Sequence, residues 1–125
     1  MDEFGSNLRM TEMQAVLGRH ALLRLQGEIL RRREIATRYD HALGWNVSRA
    51  GHVFYMYIGQ VDDRDEKMRM LNEMGIPARI SGCANIGYEQ AFVRRGWRWE
   101  CPVADAVGKR TLGLPVFPTM TDAEV

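Results

Sequence analysis

Apolar residues recur every three or four positions from about Thr11 to Leu43. Leu22, Leu25, Ile29, Ala36, Tyr39 and Leu43 lie on one stripe, and Met13, Val16, Leu17 and Ala21 form a separate packing face. That period predicts a long helix, and Thr11 with Gln14 stands at capping-box spacing for its start. Gly18 and Gly27 each weaken a helix by about 1 kcal/mol relative to alanine, so a bend or break is expected near Gly27. The first part would then reach one surface while the second packs on another. Core packing is the plain reading of the Met and Leu face; a partner-binding groove is the sharper one.

After a polar turn at Asn46 to Gly51, the period changes from three-to-four to two. Residues His52 to Val61 alternate Val53/Tyr55/Tyr57 with Phe54/Met56/Ile58, and both sets are largely apolar. This predicts a strand covered on both faces, hence a central one. Asp63 and Glu66 form a second capping-type pair, Met68, Leu71 and Met74 mark the buried face of the helix that follows, and Gly75-Ile76-Pro77 stops it. Ala78 to Gly82 reads as a second strand, followed by a loop of small residues, Ser81-Gly82-Cys83-Ala84-Asn85, that allows close approach of a ligand or another backbone. Short helices are expected from Tyr88 to Arg95, ended by Gly96, and from Pro102 to about Arg110. Leu112 to Val116 reads as an edge strand because Pro115 cannot donate to a ladder. Thr121 and Glu124 form a last capping pair. The order alone is compatible with parallel or antiparallel pairing; we expect an α+β domain with a small antiparallel three-stranded sheet.

With 125 residues, 46% of them apolar and 26% charged, and a net charge of +1, the chain falls in the ordinary globular class. No apolar run approaches the roughly 18 residues of a membrane span, and Met1-Asp2-Glu3-Phe4-Gly5 lacks a secretory pattern, so a cytoplasmic protein is expected. Fifteen of the seventeen basic residues are arginine. Glu28 and Glu34 flank the run Arg31-Arg32-Arg33, which reads as a solvated helix face rather than a nucleic-acid patch. Cys83 and Cys101 are far apart and outside any Cys-x-x-Cys spacing, so reduced, unpaired thiols are expected and no zinc site. His20 and His41 are too distant on one helix for a metal, and Asp62, Asp63 and Asp65 read as a helix start rather than calcium ligands. Cys83 and His52 could form a nucleophile and base, but no orienting acid is identifiable, and a buried or loop thiol is the plainer reading.

Several motifs together resemble one family. Gly5-Ser6-Asn7-Leu8-Arg9-Met10-Thr11-Glu12-Met13-Gln14-Ala15 is similar to the Gly-x-Asn-x-Arg-Met-x-Glu-x-Gln-Ala signature of the DegT/DnrJ/StrS class of pyridoxal-phosphate (PLP) sugar aminotransferases. Arg32 to Leu43 resembles its Arg-Arg-x-Ile-Ala-x-x-Tyr-x-x-x-Leu helix. His52-Val53-Phe54-Tyr55-Met56-Tyr57 resembles its His-x-x-Tyr-x-Tyr strand, Gly75-Ile76-Pro77 its helix-to-strand turn, and Leu112 to Thr121 its Leu-x-Leu-Pro-x-x-Pro-x-x-Thr stretch. The motifs keep the family's order over nearly the whole chain.

The resemblance implies the C-terminal small domain of such an enzyme, with 1–26 as signature and interface segment and 27–125 as the α+β core. It also implies amino transfer to a keto group on a nucleotide-linked sugar. By resemblance Asn7 would donate to the cofactor phosphate of a partner subunit and Arg9 would add charge; the plainer role of Asn7 is a turn before Thr11. The family's Schiff-base lysine precedes its signature, and neither Lys67 nor Lys109 matches that position. Both are expected to be surface lysines, and the chain alone is expected to be inactive, with no catalytic residue of its own. Where many members hold substrate with a His-Tyr-Pro-Pro-like run, this chain has the variant loop after Ile80, so Ser81, Gly82, Cys83 and Asn85 are the substrate-loop candidates. The expected partner is a missing large domain or a second copy, with no nucleic acid or membrane. The alternative is a free-standing, noncatalytic module that self-associates through apolar surface meant for a missing domain, at Met13, Val16, Leu17 or Trp97 and Trp99.

Overall fold

The computed structural model describes residues 9–46, 51–80, 88–97 and 99–125. They form two compact units, one made of 9–57 with 115–125 and the other of 58–114.

The first unit is organised by α1 (Glu12–Leu43). Thr11 is extended and caps it reciprocally: the Thr11 hydroxyl accepts the Gln14 N–H at 3.3 Å, and the Gln14 amide oxygen accepts the Thr11 N–H at 2.9 Å. At the other end Gly44 adopts φ +68°, and its N–H donates to the Asp40 carbonyl, a conformation that suits glycine. The helix runs without interruption through Gly18 and Gly27, so the break expected near Gly27 does not occur. Two glycines among 32 residues cost too little to interrupt a capped ladder.

Only the second half of α1 is in a core. Ile35, Ala36, Tyr39 and Asp40 are buried with Phe54, Tyr57, Val116 and Met120, each large apolar side chain contributing about 1.5–3 kcal/mol. Tyr57 is the hub. Its ring lies 5.1 Å from Tyr39 and 5.7 Å from the nearly parallel Trp45, and its hydroxyl donates to buried Asp40 at 2.6 Å. Tyr39 donates to the Pro115 carbonyl, and burial raises its pKa above that of an ordinary tyrosine. Leu22, Leu25 and Leu43 from the expected stripe are exposed.

The arginine run corrects the solvated-face reading. Arg31 donates to the Met120 carbonyl at 2.7 Å and pairs with Asp122 and Glu34. Arg32 reaches the carbonyls of Val116 (2.6 Å), Phe54 (3.2 Å) and Tyr55 (3.3 Å), and Arg33 reaches that of His52. The segments crossing α1 present carbonyls without ladder partners of their own strand type, and a forked guanidinium on a long stem satisfies several at once.

His52 to Val61 is not one strand. Phe54 takes φ +49° with its N–H donated to His52 Nδ1, and only β1 (Tyr57–Gln60) is extended in a ladder. A non-glycine residue with positive φ costs roughly 1–2 kcal/mol, and the buried Phe54 ring offsets it.

The second unit carries the sheet, with residues 58–60 of β1. β2 (Arg79–Ile80) pairs antiparallel with β3 (Thr111–Leu114) in the register Arg79 to Gly113 and Ile80 to Leu112, and the order is β1-β3-β2. The central strand is therefore β3, and β1 is at an edge, the reverse of the sequence expectation. Pro115 lies just past β3, so its missing N–H leaves no gap in the ladder. α2 (Arg64–Glu73) packs against β3. Its start lacks the expected side-chain cap because Asp63 adopts φ +54°, and of the expected buried face Met68 and Leu71 are half-buried while Met74 is exposed. Gly75 at φ +83° ends it, and Asn72 donates to the Met68 and Ala78 carbonyls, tying the helix end to the start of β2. α3 (Gln90–Val93) and α4 (Pro102–Arg110, with proline in its first turn) complete the unit. Arg64 donates to the Gly108 carbonyl and Val61 N–H to that of Arg110, holding α4 in place.

Candidate functional site

Arg9 is exposed two residues before the α1 cap. The other sequence-derived candidates, Asn7, Ser81, Gly82, Cys83 and Asn85, lie outside the described residues.

The small-residue loop is framed by described neighbours. Ile80 ends β2 on one side and Tyr88 begins the next segment on the other, both exposed. The Tyr88 hydroxyl donates to Asp105 Oδ2 at 3.0 Å, and the hydrogen bond to this carboxylate raises the tyrosine pKa. This pair, 17 residues apart, has no local sequence signal; only the packing of α4 beside the loop's exit makes it. Beyond Tyr88, Phe92, Trp97 and Trp99 form a surface cluster. Phe92 lies 5.8 Å from Trp97 and 5.6 Å from Trp99, and the two indoles are 6.5 Å apart. The Trp-x-Trp spacing was visible in the sequence, but its convergence on Phe92 depends on Gly96, which turns the chain at φ +76° so that the Trp97 N–H donates to the Phe92 carbonyl.

Covalent PLP attachment needs a lysine that can lose its proton, and desolvation or a second cation is what lowers a lysine pKa. Lys67 in α2 and Lys109 in α4 are both exposed on short helices. The described residues do not make a PLP site by themselves. His52 is engaged by the backbone of Phe54. Cys101 is a free, half-buried thiol, and Cys83 is outside the described residues. Among the described residues no cluster of three or more His, Cys, Asp or Glu could hold a metal ion, and no helix is long and apolar enough to cross a membrane.

A long capped helix with an α+β unit built on a small antiparallel sheet is the architecture of a portion of known aminotransferases. The crystal structure of an aminotransferase from Brucella abortus matches with a TM-score of 0.81 at 26% identity, covering 93% of this chain and 33% of that one. An aminotransferase from Psychrobacter cryohalolentis matches with a TM-score of 0.77 at 32% identity, covering 98% of this chain and 38% of that one. The chain belongs to the DegT/DnrJ/EryC1/StrS aminotransferase family, which matches over residues 1–125. It is 31% identical to a UDP-N-acetyl-3-dehydro-alpha-D-glucosamine 3-aminotransferase from Acidithiobacillus ferrooxidans, over 99% of this chain and 35% of the relative. It is also 31% identical to a dTDP-4-dehydro-2,3,6-trideoxy-D-glucose 4-aminotransferase from Saccharopolyspora spinosa, over 100% of this chain and 34% of the relative. The chain thus spans about a third of the length of the curated relatives it matches.

Proposed function

We propose that this chain is the C-terminal small-domain part of a sugar aminotransferase and works only with a larger domain that supplies the PLP-binding lysine. The combined protein would transfer an amino group to a keto group on a sugar linked to a pyrimidine nucleoside diphosphate, the substrate class in the names of the Acidithiobacillus and Saccharopolyspora relatives. In it Asn7 and Arg9 would meet the cofactor phosphate, and Ser81, Gly82, Cys83 and Asn85 the substrate.

The observation that carries this reading is the first half of α1. Met13 is 78% exposed and Leu23 82%, and Val16, Leu17, Leu22, Leu25 and Leu30 are exposed as well. These residues are not on one stripe. At 3.6 residues per turn Met13 and Leu22 lie about 180° apart, as do Val16 and Leu25. Interleaved with Arg19, Arg24 and Glu28, these apolar residues leave no single apolar face for one packing partner, and suit contacts on more than one side. A second copy laid along it would cover one seam and leave the opposite leucines in water, so a surrounding domain fits better than self-association.

The test joins this chain to the part of the Acidithiobacillus relative that it does not match, with the intact relative as reference. Formation of a PLP-bound protein that transfers an amino group to its nucleotide sugar is the expected result. Failure of the two parts to associate, with this chain instead forming stable oligomers on its own, would favour a self-associating module and overturn the reading.

A further inference from the structure

The aromatic cluster of the second unit lies apart in sequence from Asn7, Arg9 and the loop after Ile80. We propose that Phe92, Trp97 and Trp99 form a stacking platform for the pyrimidine base of the nucleoside diphosphate, an inference that rests on the sugar-aminotransferase reading for its ligand class. Two indoles, 49% and 48% exposed, present aromatic surface outside the core of the unit. Their positions are nevertheless fixed. Ala91 is fully buried and anchors α3, Phe92 follows it, and the left-handed turn at Gly96 folds Trp97 back so that its N–H meets the Phe92 carbonyl at 3.1 Å. The three rings, at 5.6–6.5 Å, support one another in tilted and edge-on contacts. The result is an aromatic surface open to solvent.

The charge around it suits a phosphorylated ligand. Arg94 and Arg95 immediately precede the turn and are exposed, and Arg95 also donates to the Ala91 carbonyl at 2.8 Å. Glu89 and Glu100 bracket the two arginines in the sequence, and Asp105 is engaged by Tyr88. Aromatic rings interleaved with cations are what a base joined to phosphates requires: the ring face takes the base, and guanidinium groups attract the phosphate oxygens. Stacking is tolerant of base identity because every base has a π face. The platform should therefore accept uracil and thymine alike.

The chain contains one other tryptophan, Trp45, which stacks on Tyr57 in the first unit. In a Trp45→Phe background, emission reports on Trp97 and Trp99 alone. Titration with UDP and with dTDP is expected to give saturable quenching, whereas sodium pyrophosphate gives little. Trp97→Ala or Trp99→Ala should weaken UDP binding, followed by calorimetry, about ten-fold or more, while Trp97→Phe, which keeps a ring, stays within a few-fold of the parent. No saturable response to either nucleotide at millimolar concentration would overturn the proposal. So would equal quenching by pyrophosphate, which marks a phosphate site only, or quenching that tracks protein concentration, which marks a contact between copies. The joined enzyme separates this from the functional reading. Activity with an unchanged KM for nucleotide sugar in Trp97→Ala sinks the platform and leaves the reading standing; UDP binding without amino transfer does the reverse.

Discussion

Arg32 directs one nitrogen at three carbonyl oxygens, those of Phe54, Tyr55 and Val116, from a half-buried position on α1. Hydrogen bonds from a charged group are worth about 1.5–3 kcal/mol, so Arg32→Met should lower the unfolding free energy by that order. An unchanged urea midpoint would mean that water replaces the guanidinium without loss. Asp122 acts in the same unit from an exposed position, bound by Arg31 and Arg38. The Arg31 guanidinium holds its pKa below the ordinary carboxylate value, as the Thr121 N–H does for Glu124. A carboxylate with a depressed folded-state pKa contributes stability that is fully present above its unfolded-state pKa and is lost as the pH falls through the folded-state value. Acidification below about pH 4 should therefore loosen residues 120–125 first, and Asp122→Asn should remove much of that dependence. Backbone NMR shifts of the segment, followed through an acid titration, would read both. The arginine roles could not be taken from the sequence, because a run of arginines flanked by glutamates looks the same whether it meets water or carbonyls from residues 20 to 90 positions away.

At the scale of elements, what the sequence made legible was local chemistry. The Thr11 and Gln14 cap, the stop at Gly75, the proline start of α4 and the paired Thr121 and Glu124 are each decided within four residues, and each forms. Strand rank was not legible. Whether β1 or β3 lies in the middle depends on pairing between segments over fifty residues apart, and the apolar run from Val53 to Ile58 owes its character to Phe54 and Tyr57 packing under α1 rather than to a central ladder. The candidate site was legible only in part: the aromatic pair could be seen, but the Tyr88 and Asp105 contact could not. Gly18 tests the helix separately from the core. It is exposed, and an added Cβ would meet nothing within 4 Å. Gly18→Ala should favour local helix by about 1 kcal/mol, visible as slower amide exchange across 14–26, while the global unfolding midpoint barely moves. A matching rise in that midpoint would show that this half of α1 unfolds together with the core.

For the whole molecule, the stability of α1 is divided along its length. Its second half is held by Ile35, Ala36, Tyr39 and three arginines, while from Met13 to Gly27 nearly every side chain is exposed. Isolated helices of about 12–15 residues are marginal in water, so this half should be the least protected part of the helix in the chain alone. Leu17→Glu together with Leu23→Glu should leave the stability of the isolated chain within about 0.5 kcal/mol, as for surface substitutions that touch nothing. In the joined protein the same pair would place two carboxylates where a surrounding domain packs, and burying an unpaired charge is strongly unfavourable. Hydrogen exchange measured on both forms distinguishes the two situations. Amides 14–27 should exchange quickly in the isolated chain and slowly in the joined protein, and the double substitution should abolish only the second effect. Equal protection in both forms would mean that the larger domain does not enclose this helix, and the leucines around its circumference would then need another occupant.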